Sequence, residues 1–171
     1  MQSNTLGDRL GRLIGAPAGS TVVGDTLSIR VFQAVAAALA LAPKRRVILS
    51  DSGNFPTDLY MVEGLMGLRD VGYELRTPAP EDVLDHITEE VATVMVTEVD
   101  YRSGRKHYMQ AIIKKSHSVG ATVVWDLAHS IGAIPVVMYG TNADFAVGLT
   151  YKFLNSGPGG PAFIYVAPRL I

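Results

Sequence analysis

Short apolar runs alternate with amphipathic segments along the chain, and breaks rich in glycine, proline or small polar residues separate them. Short apolar runs predict buried strands, and an apolar repeat of about 3.6 residues predicts helices. The predicted strands are 22–23, 47–49, 73–75, 91–96, 121–125, 145–149 and 162–166, and the predicted helices are 5–14, 29–41, 59–66, 80–90 and 106–118. Because strands alternate with helices, the pattern predicts an α/β fold of three layers (α/β/α) with a mostly parallel sheet.

Two of the predicted strands lead to residues with useful chemistry. The run 121–125 is followed by Asp126, and the run 145–149 is followed by a turn that contains Lys152. Ligands of α/β sheets bind at the carboxyl ends of the strands, where both residues fall. Taken singly, such an aspartate is more often a helix cap and such a lysine a solvated charge. Together they suit pyridoxal phosphate, whose aldehyde needs an amine and whose ring nitrogen needs an acidic partner.

Several separated segments strengthen this interpretation. They are NFPTDLY at 54–60, DLAHS at 126–130, ADFAVG at 143–148 and TYKFLNSGPG at 150–159. In this order they closely resemble the kynureninase family, which belongs to the fold-type-I pyridoxal-phosphate enzymes. The resemblance extends from about residue 6 to residue 171 and implies a partial large domain of that fold.

The resemblance also implies the catalytic residues. Lys152 is expected to form the covalent link to the cofactor and later to carry the substrate α-proton. Asp126 is expected to keep the pyridine nitrogen protonated, because a nearby carboxylate favours the cation. Tyr151 is expected to contact the phosphate and to donate a proton during cleavage.

The remaining implied contacts come from several strand ends and one helix start. Helix N-termini bind phosphate, which the resemblance assigns to Leu27 and Ser28; an ordinary Ser/Thr cap explains the same pattern. The aromatic ring of Phe55 is expected to stack on the cofactor or else to belong to the core, and Thr97 to contact it or else to satisfy a loop. The whole implied cofactor-binding set is Leu27, Ser28, Phe55, Asp58, Thr97, Asp126, His129, Tyr151 and Lys152.

The reaction that the resemblance implies is hydrolysis of L-kynurenine, or of 3-hydroxy-L-kynurenine, to the corresponding anthranilate and L-alanine. Kynureninases are considerably longer than 171 residues, and their substrate-carboxylate arginine and small C-terminal domain have no counterpart here. The second hypothesis is therefore a non-catalytic α/β remnant that folds or oligomerises without turnover. A related lyase such as a cysteine desulfurase is a third reading, although the chain has no cysteine for persulfide chemistry. Fold-type-I sites form at dimer interfaces, so a homo-oligomer is expected.

Composition and charge limit the number of domains and the kinds of partner and metal site that are expected. A chain of 171 residues predicts one domain, and a net charge of −1 gives no reason to expect a nucleic-acid or anionic-membrane partner. The absence of cysteine excludes disulfides and thiolate metal sites within these residues. The four histidines have no zinc-ligand spacing, so no metal is expected; His86 is expected at a surface or cap, and His107 and His117 on the solvent face of a helix. No apolar run approaches the roughly 18 residues of a membrane helix, and a cytoplasmic protein is expected.

Overall fold

A computed structural model describes residues 2–171, with side chains described from residue 6 onward. The strands are β1 (Thr21–Val23), β2 (Val47–Leu49), β3 (Glu74–Arg76), β4 (Val91–Thr97), β5 (Thr122–Asp126), β6 (Phe145–Leu149) and β7 (Ala162–Val166). The helices are α1 (Gln2–Leu13), α2 (Leu27–Leu41), α3 (Pro56–Arg69) and α4 (Met109–Ser118), with 3-10 turns at Pro80–Asp82 and Pro168–Leu170.

The seven strands form one sheet in the order β1-β7-β6-β5-β4-β2-β3. Strand β7 runs antiparallel to both of its neighbours, whereas β2, β3, β4, β5 and β6 pair in parallel. The predicted α/β class with a mostly parallel sheet is therefore confirmed. Because parallel strands end at the same edge, β2, β4, β5 and β6 all deliver their following loops to one edge, called here the carboxyl edge.

Helices cover both faces of the sheet. On one face α2 and α3 pack through Leu39 and Leu65 against Ile48 of β2. On the other face α1 and α4 contribute to a second cluster that contains Trp125, the only tryptophan, which is fully buried. Strands buried on both faces have continuous apolar runs, as β4, β5 and β6 do. The layers therefore agree with the predicted three.

Helix α2 begins where an extended residue supplies a cap. The Thr26 hydroxyl accepts a hydrogen bond from the backbone N–H of Ile29 at 3.5 Å. This satisfies one of the amide groups that a helix start leaves without an intrahelical partner. The helix starts two residues earlier than the sequence pattern predicts, so Leu27 and Ser28 lie in its first turn.

The helix predicted at 80–90 is wrong. Only Pro80–Asp82 forms a 3-10 turn, and the segment continues as turns up to strand β4. Its amides mostly bond three residues back, as Asp85 N–H does to the Asp82 carbonyl at 3.0 Å. Two of the three apolar residues are buried, Val83 and Ile87, but Leu84 is exposed. Burial of these two side chains satisfies the apolar pattern without a helix.

Two histidines also differ from their predicted environment. His107 precedes α4 and is only 6% exposed, with Nε2 at 2.8 Å from Asp51 Oδ2. His117 lies in the last turn of α4, half-buried, with Nε2 at 2.9 Å from Asp144 Oδ2. Neither imidazole is a solvated surface group, because each pairs with a buried carboxylate. No helix of residues 2–171 is both long and apolar enough to cross a membrane.

Candidate active site

Asp126 and Lys152 meet at the carboxyl edge, as the sequence predicts. Asp126 is the last residue of β5 and is buried, and Lys152 lies in the turn after β6. Strand β5 pairs directly with β6, with Asp126 opposite Val147. The lysine is close enough to oppose the effect of burial on the pKa of Asp126. The two residues are therefore neighbours across adjacent strands.

The carboxyl group of Asp126 has little compensation for its burial. Burial raises its pKa to about 6, against the lowering effect of the Ala128 backbone N–H and of Lys152. That N–H donates to Asp126 Oδ1 at 2.8 Å. This hydrogen bond, together with the weaker effects of Lys152, Asp58 and Thr97, does not offset the loss of water around a charged carboxylate.

Asp58, from the first turn of α3, lies beside Asp126. Its pKa is raised well above the ordinary value, first by burial and then by Asp126, with which it is within hydrogen-bonding reach. Its Oδ2 is buried and has no hydrogen-bond partner within residues 6–171, whose side chains the structure describes. Two adjacent buried carboxyl groups do not both ionise readily, so Asp58 retains a proton more strongly than an exposed aspartate does.

Lys152 contacts His129, which follows β5. The Nζ of Lys152 lies 2.6 Å from His129 Nε2. Burial lowers the pKa of Lys152, against the opposite effect of the charges of Asp126 and Asp58. Burial and then the lysine charge lower the pKa of His129. A neutral imidazole thus accepts a hydrogen bond from Nζ at Nε2, and its buried Nδ1 has no partner among residues 6–171.

Aromatic rings surround the lysine. Phe55 and Tyr101 pack edge to face with centroids 5.2 Å apart, and Tyr101 stacks on His129 at 6.0 Å. The Nζ of Lys152 lies 5.5 Å from the centroid of Phe55. The sequence motifs predict Phe55 and His129 at this site but not Tyr101. The available signal was its position just beyond β4, since loops at the carboxyl ends of strands carry function.

Thr97 ends β4 directly opposite Asp126 of β5. Its Oγ1 lies 3.5 Å from Asp126 Oδ2 and 2.5 Å from Oδ1 of Asn54, in the loop after β2. Asn54 belongs to the motif at 54–60, which predicts no separate role for it. Nothing in the local sequence indicates its contact with Thr97, 43 residues away.

The remaining expected residues lie around this cluster. The loop before α2 is joined to β7, because Gly24 N–H donates to the Ala162 carbonyl at 2.9 Å. Ala162 pairs with Leu149 at the end of β6, so the first turn of α2 reaches the carboxyl edge. Leu27 and Ser28 are partly exposed there, without a hydrogen bond to Lys152 in the described structure. Tyr151, next to Lys152, is 47% exposed.

The residues of the carboxyl edge fit pyridoxal phosphate. A lysine with a lowered pKa supplies an amine, and the under-compensated Asp126 carboxyl suits a cationic ring nitrogen. Phe55 presents an aromatic ring near the amine, and a helix N-terminus at the same edge suits a phosphate. The unpartnered Oδ2 of Asp58 and Nδ1 of His129 leave hydrogen-bonding capacity for a ligand.

Comparison with curated proteins supports this interpretation. A kynureninase from Pseudomonas fluorescens is 49% identical over 173 residues, which cover 98% of this chain and 42% of that protein. A kynureninase from Deinococcus radiodurans is 53% identical over 162 residues, which cover 94% of this chain and 39% of that protein. The chain thus spans less than half the length of these relatives.

Solved structures share the fold. A NifS-like protein superposes with a TM-score of 0.83 at 13% identity, over 98% of this chain and 48% of that one. A cysteine desulfurase from Thermococcus onnurineus NA1 gives a TM-score of 0.79 at 20% identity, over 98% and 43%. Residues 12–171 match the family model described as aminotransferase class-V. The chain therefore belongs to the class-V aminotransferase family of pyridoxal-phosphate-dependent enzymes.

Proposed function

We propose that this chain forms the cofactor-binding part of a kynureninase-type hydrolase. Its reaction would cleave L-kynurenine, or 3-hydroxy-L-kynurenine, to the corresponding anthranilate and L-alanine. The observation that carries the proposal is the meeting of Lys152 with the buried acid pair Asp58 and Asp126. The roughly 50% identity to kynureninases over nearly the whole chain supports this choice of substrate.

The proposal assigns the cofactor contacts to residues of the carboxyl edge. Lys152 would hold pyridoxal phosphate covalently, Asp126 would hold its ring nitrogen, and Phe55 would face its ring. Leu27 and Ser28 would receive the phosphate at the start of α2, where amide N–H groups and the helix dipole favour an anion. When bound, the cofactor supplies an electron sink for the bond that breaks.

Asp126 and Asp58 would interact with the ring nitrogen of the cofactor. Asp126 would keep a proton on the ring nitrogen because a buried carboxylate favours a cation beside it. Asp58 would share this task as a hydrogen-bonding neighbour. Thr97, in contact with Asp126, would complete this side of the site.

Lys152 would transfer the α-proton of the substrate. Its lowered pKa keeps a larger free-amine fraction near neutral pH, which suits a group that accepts and returns the substrate α-proton. His129 would hold Nζ through the 2.6 Å contact. The half-exposed phenol of Tyr151 would contact the phosphate and donate a proton during cleavage.

The assembly is part of the same proposal. A homo-oligomer in the cytoplasm, with kynurenine as its small-molecule substrate, is what we propose for the working enzyme. Large side chains left exposed beside Lys152, Tyr151 and Phe153, support self-association at this edge. Sedimentation velocity measures it directly, and a monomer across micromolar concentrations would count against it.

The decisive test compares two lysines. The purified chain is incubated with pyridoxal phosphate, reduced with borohydride and digested, and the modified lysines are identified by mass spectrometry. We expect modification at Lys152, lost in Lys152→Ala and unchanged in Lys115→Ala, because Lys115 is exposed on α4. Equal labelling of several surface lysines would contradict the proposed site.

Turnover then separates the remaining possibilities. Kynurenine and cysteine are offered in parallel to the cofactor-loaded chain. Release of anthranilate supports the proposal, whereas release of sulfide would favour a desulfurase-type lyase. Lysine-specific labelling without turnover of either substrate would identify a cofactor-binding but non-catalytic domain.

A further inference from the structure

We infer that Asn54 is a positioning residue of the cofactor site, because its amide determines where the Thr97 hydroxyl proton points. Asn54 lies in the loop between β2 and α3, directly before Phe55, and is buried. Its side chain joins the ends of β2 and β4. The inference rests on the proposed function, since it concerns how the same site receives pyridoxal phosphate.

Two backbone groups determine the orientation of the amide. The Phe55 N–H donates to Asn54 Oδ1 at 2.7 Å, and Asn54 Nδ2 donates to the Met95 carbonyl at 3.3 Å. A backbone N–H only donates and a backbone carbonyl only accepts. The flipped amide would place donor against donor and acceptor against acceptor. Oδ1 therefore faces Phe55 and, at 2.5 Å, the hydroxyl of Thr97.

The neighbouring serine agrees with this orientation. Ser50 Oγ lies 2.6 Å from the Met95 carbonyl, to which it donates its single proton. It then accepts from Asn54 Nδ2 at 2.9 Å. Each proton of this buried network has one defined acceptor.

The direction of the Thr97 proton follows. Its oxygen lies 2.5 Å from Asn54 Oδ1 and 3.5 Å from Asp126 Oδ2, and both of these oxygens are acceptors. The hydroxyl has one proton, and O–H···O hydrogen bonds lie at about 2.5–3.0 Å, a range that only the contact with Asn54 meets. The proton therefore goes to Asn54. Thr97 presents only lone pairs towards Asp126 and does not compete with a ligand for that carboxylate.

A second anchor holds the same loop independently. Asp51 accepts from Gly53 N–H at 2.7 Å and pairs with His107 at 2.8 Å. This anchor affects the position of Asn54 but makes no contact with Thr97. His107 therefore offers a control that loosens the loop without removing the amide.

The test is a double-mutant cycle on cofactor binding. Dissociation constants for pyridoxal phosphate are measured by absorbance titration of the full chain for Asn54→Ala, Thr97→Val and the double variant. We expect Asn54→Ala to weaken binding by about tenfold, the range of one or two buried hydrogen bonds. In the Thr97→Val background the same change should weaken binding by less than about threefold, because the hydroxyl that it redirects is gone.

Two controls keep the cycle specific. Thr93→Val removes a buried hydroxyl from the same strand, bonded to the Thr122 carbonyl and away from the site, and should leave binding unchanged. His107→Phe should weaken binding by the same factor with or without Thr97→Val. The same cycle on urea unfolding of the cofactor-free chain should also be non-additive for Asn54 and Thr97.

Each outcome of the cycle either supports or overturns the inference about Asn54. Non-additive losses for Asn54 with additive losses for His107 support the inference. Additive losses for Asn54 would show that it acts only by holding the loop, and an unchanged dissociation constant would show that it does not act on the site; either result overturns the inference alone. No lysine-dependent binding by the unsubstituted chain would overturn the proposed function as well.

Discussion

Asp126 and Asp144 are both buried aspartates beside neighbouring strands, yet they lie at opposite edges of the sheet. Asp144 directly precedes β6 and accepts hydrogen bonds from the Val123 N–H at 2.8 Å, from His117 at 2.9 Å and from the Arg169 guanidinium. Asp126 accepts a hydrogen bond from the Ala128 N–H and lies beside the Asp58 carboxyl group, while its neighbour Thr97 directs its proton to Asn54.

The comparison distinguishes a structural carboxylate from a functional one. Asp144 is neutralised and hydrogen-bonded by residues of the chain itself, so it has no capacity left for a ligand. Asp126 is equally inaccessible to water, but its hydrogen-bond partners are an amide and a second acid rather than a cation, and burial raises its pKa to about 6. An under-compensated buried acid in a cluster with a lysine marks a binding site, although neither burial nor charge alone separates the two.

Breaking the structural carboxylate should have the largest effect on stability. Asp144→Ala removes the acceptor of a buried backbone N–H, the partner of His117 and the ionic partner of Arg169, so we expect a loss of about 3 kcal/mol in the free energy of unfolding. Urea denaturation measures it. The exposed Asp85→Ala should change stability by less than about 0.5 kcal/mol. If both substitutions had equal effects, Asp144 would not be a structural carboxylate.

Neutralising Asp126 should have the opposite effect on the free energy of unfolding, an increase rather than a loss. The folded chain holds the Asp126 proton up to a pH of about 6, whereas the unfolded chain releases it near the ordinary value of 3.8. Stability therefore falls as the pH rises between these values, by about 3 kcal/mol. Asp126→Asn should remove this contribution and be more stable than the unsubstituted chain at pH 7.

The measurement is urea unfolding of the cofactor-free proteins from pH 4 to pH 8. The difference between the two proteins reports Asp126 together with the part of the Asp58 pKa shift that Asp126 causes, and both contributions lower stability as the pH rises. A variant that is less stable than the unsubstituted chain at pH 7 would mean that Asp126 is compensated like Asp144. Pyridoxal-phosphate binding should nevertheless weaken in Asp126→Asn.

Tyr151→Phe should have the smallest effect on stability. The residue is 47% exposed, so removal of its hydroxyl should change the free energy of unfolding by less than about 0.5 kcal/mol. If the phenol donates a proton during cleavage, kynurenine turnover should fall by about a hundredfold while cofactor labelling of Lys152 persists. Unchanged turnover would remove Tyr151 from the proposed catalytic residues.

Much of the fold could be predicted because it depends on local pattern. The seven strands, α2 and α4 follow apolar runs and repeats, and Asp126 and Lys152 could be found because they directly follow such runs. The helix prediction at 80–90 was wrong because turns bury Val83 and Ile87 as well as a helix would. The predicted solvent-facing positions of His107 and His117 were wrong because the carboxylates that pair with them lie 56 and 27 residues away in the sequence.

The sequence by itself determined the order of the elements and the chemistry available at each strand end. Only the tertiary structure decided that Asp58 lies beside Asp126, that Tyr101 stacks on His129, and that Asn54 takes the proton of Thr97. Apolar periodicity is encoded over a few residues, whereas these contacts join different strand ends. They depend on strand order and on packing distributed over the whole chain, which no local stretch of sequence specifies.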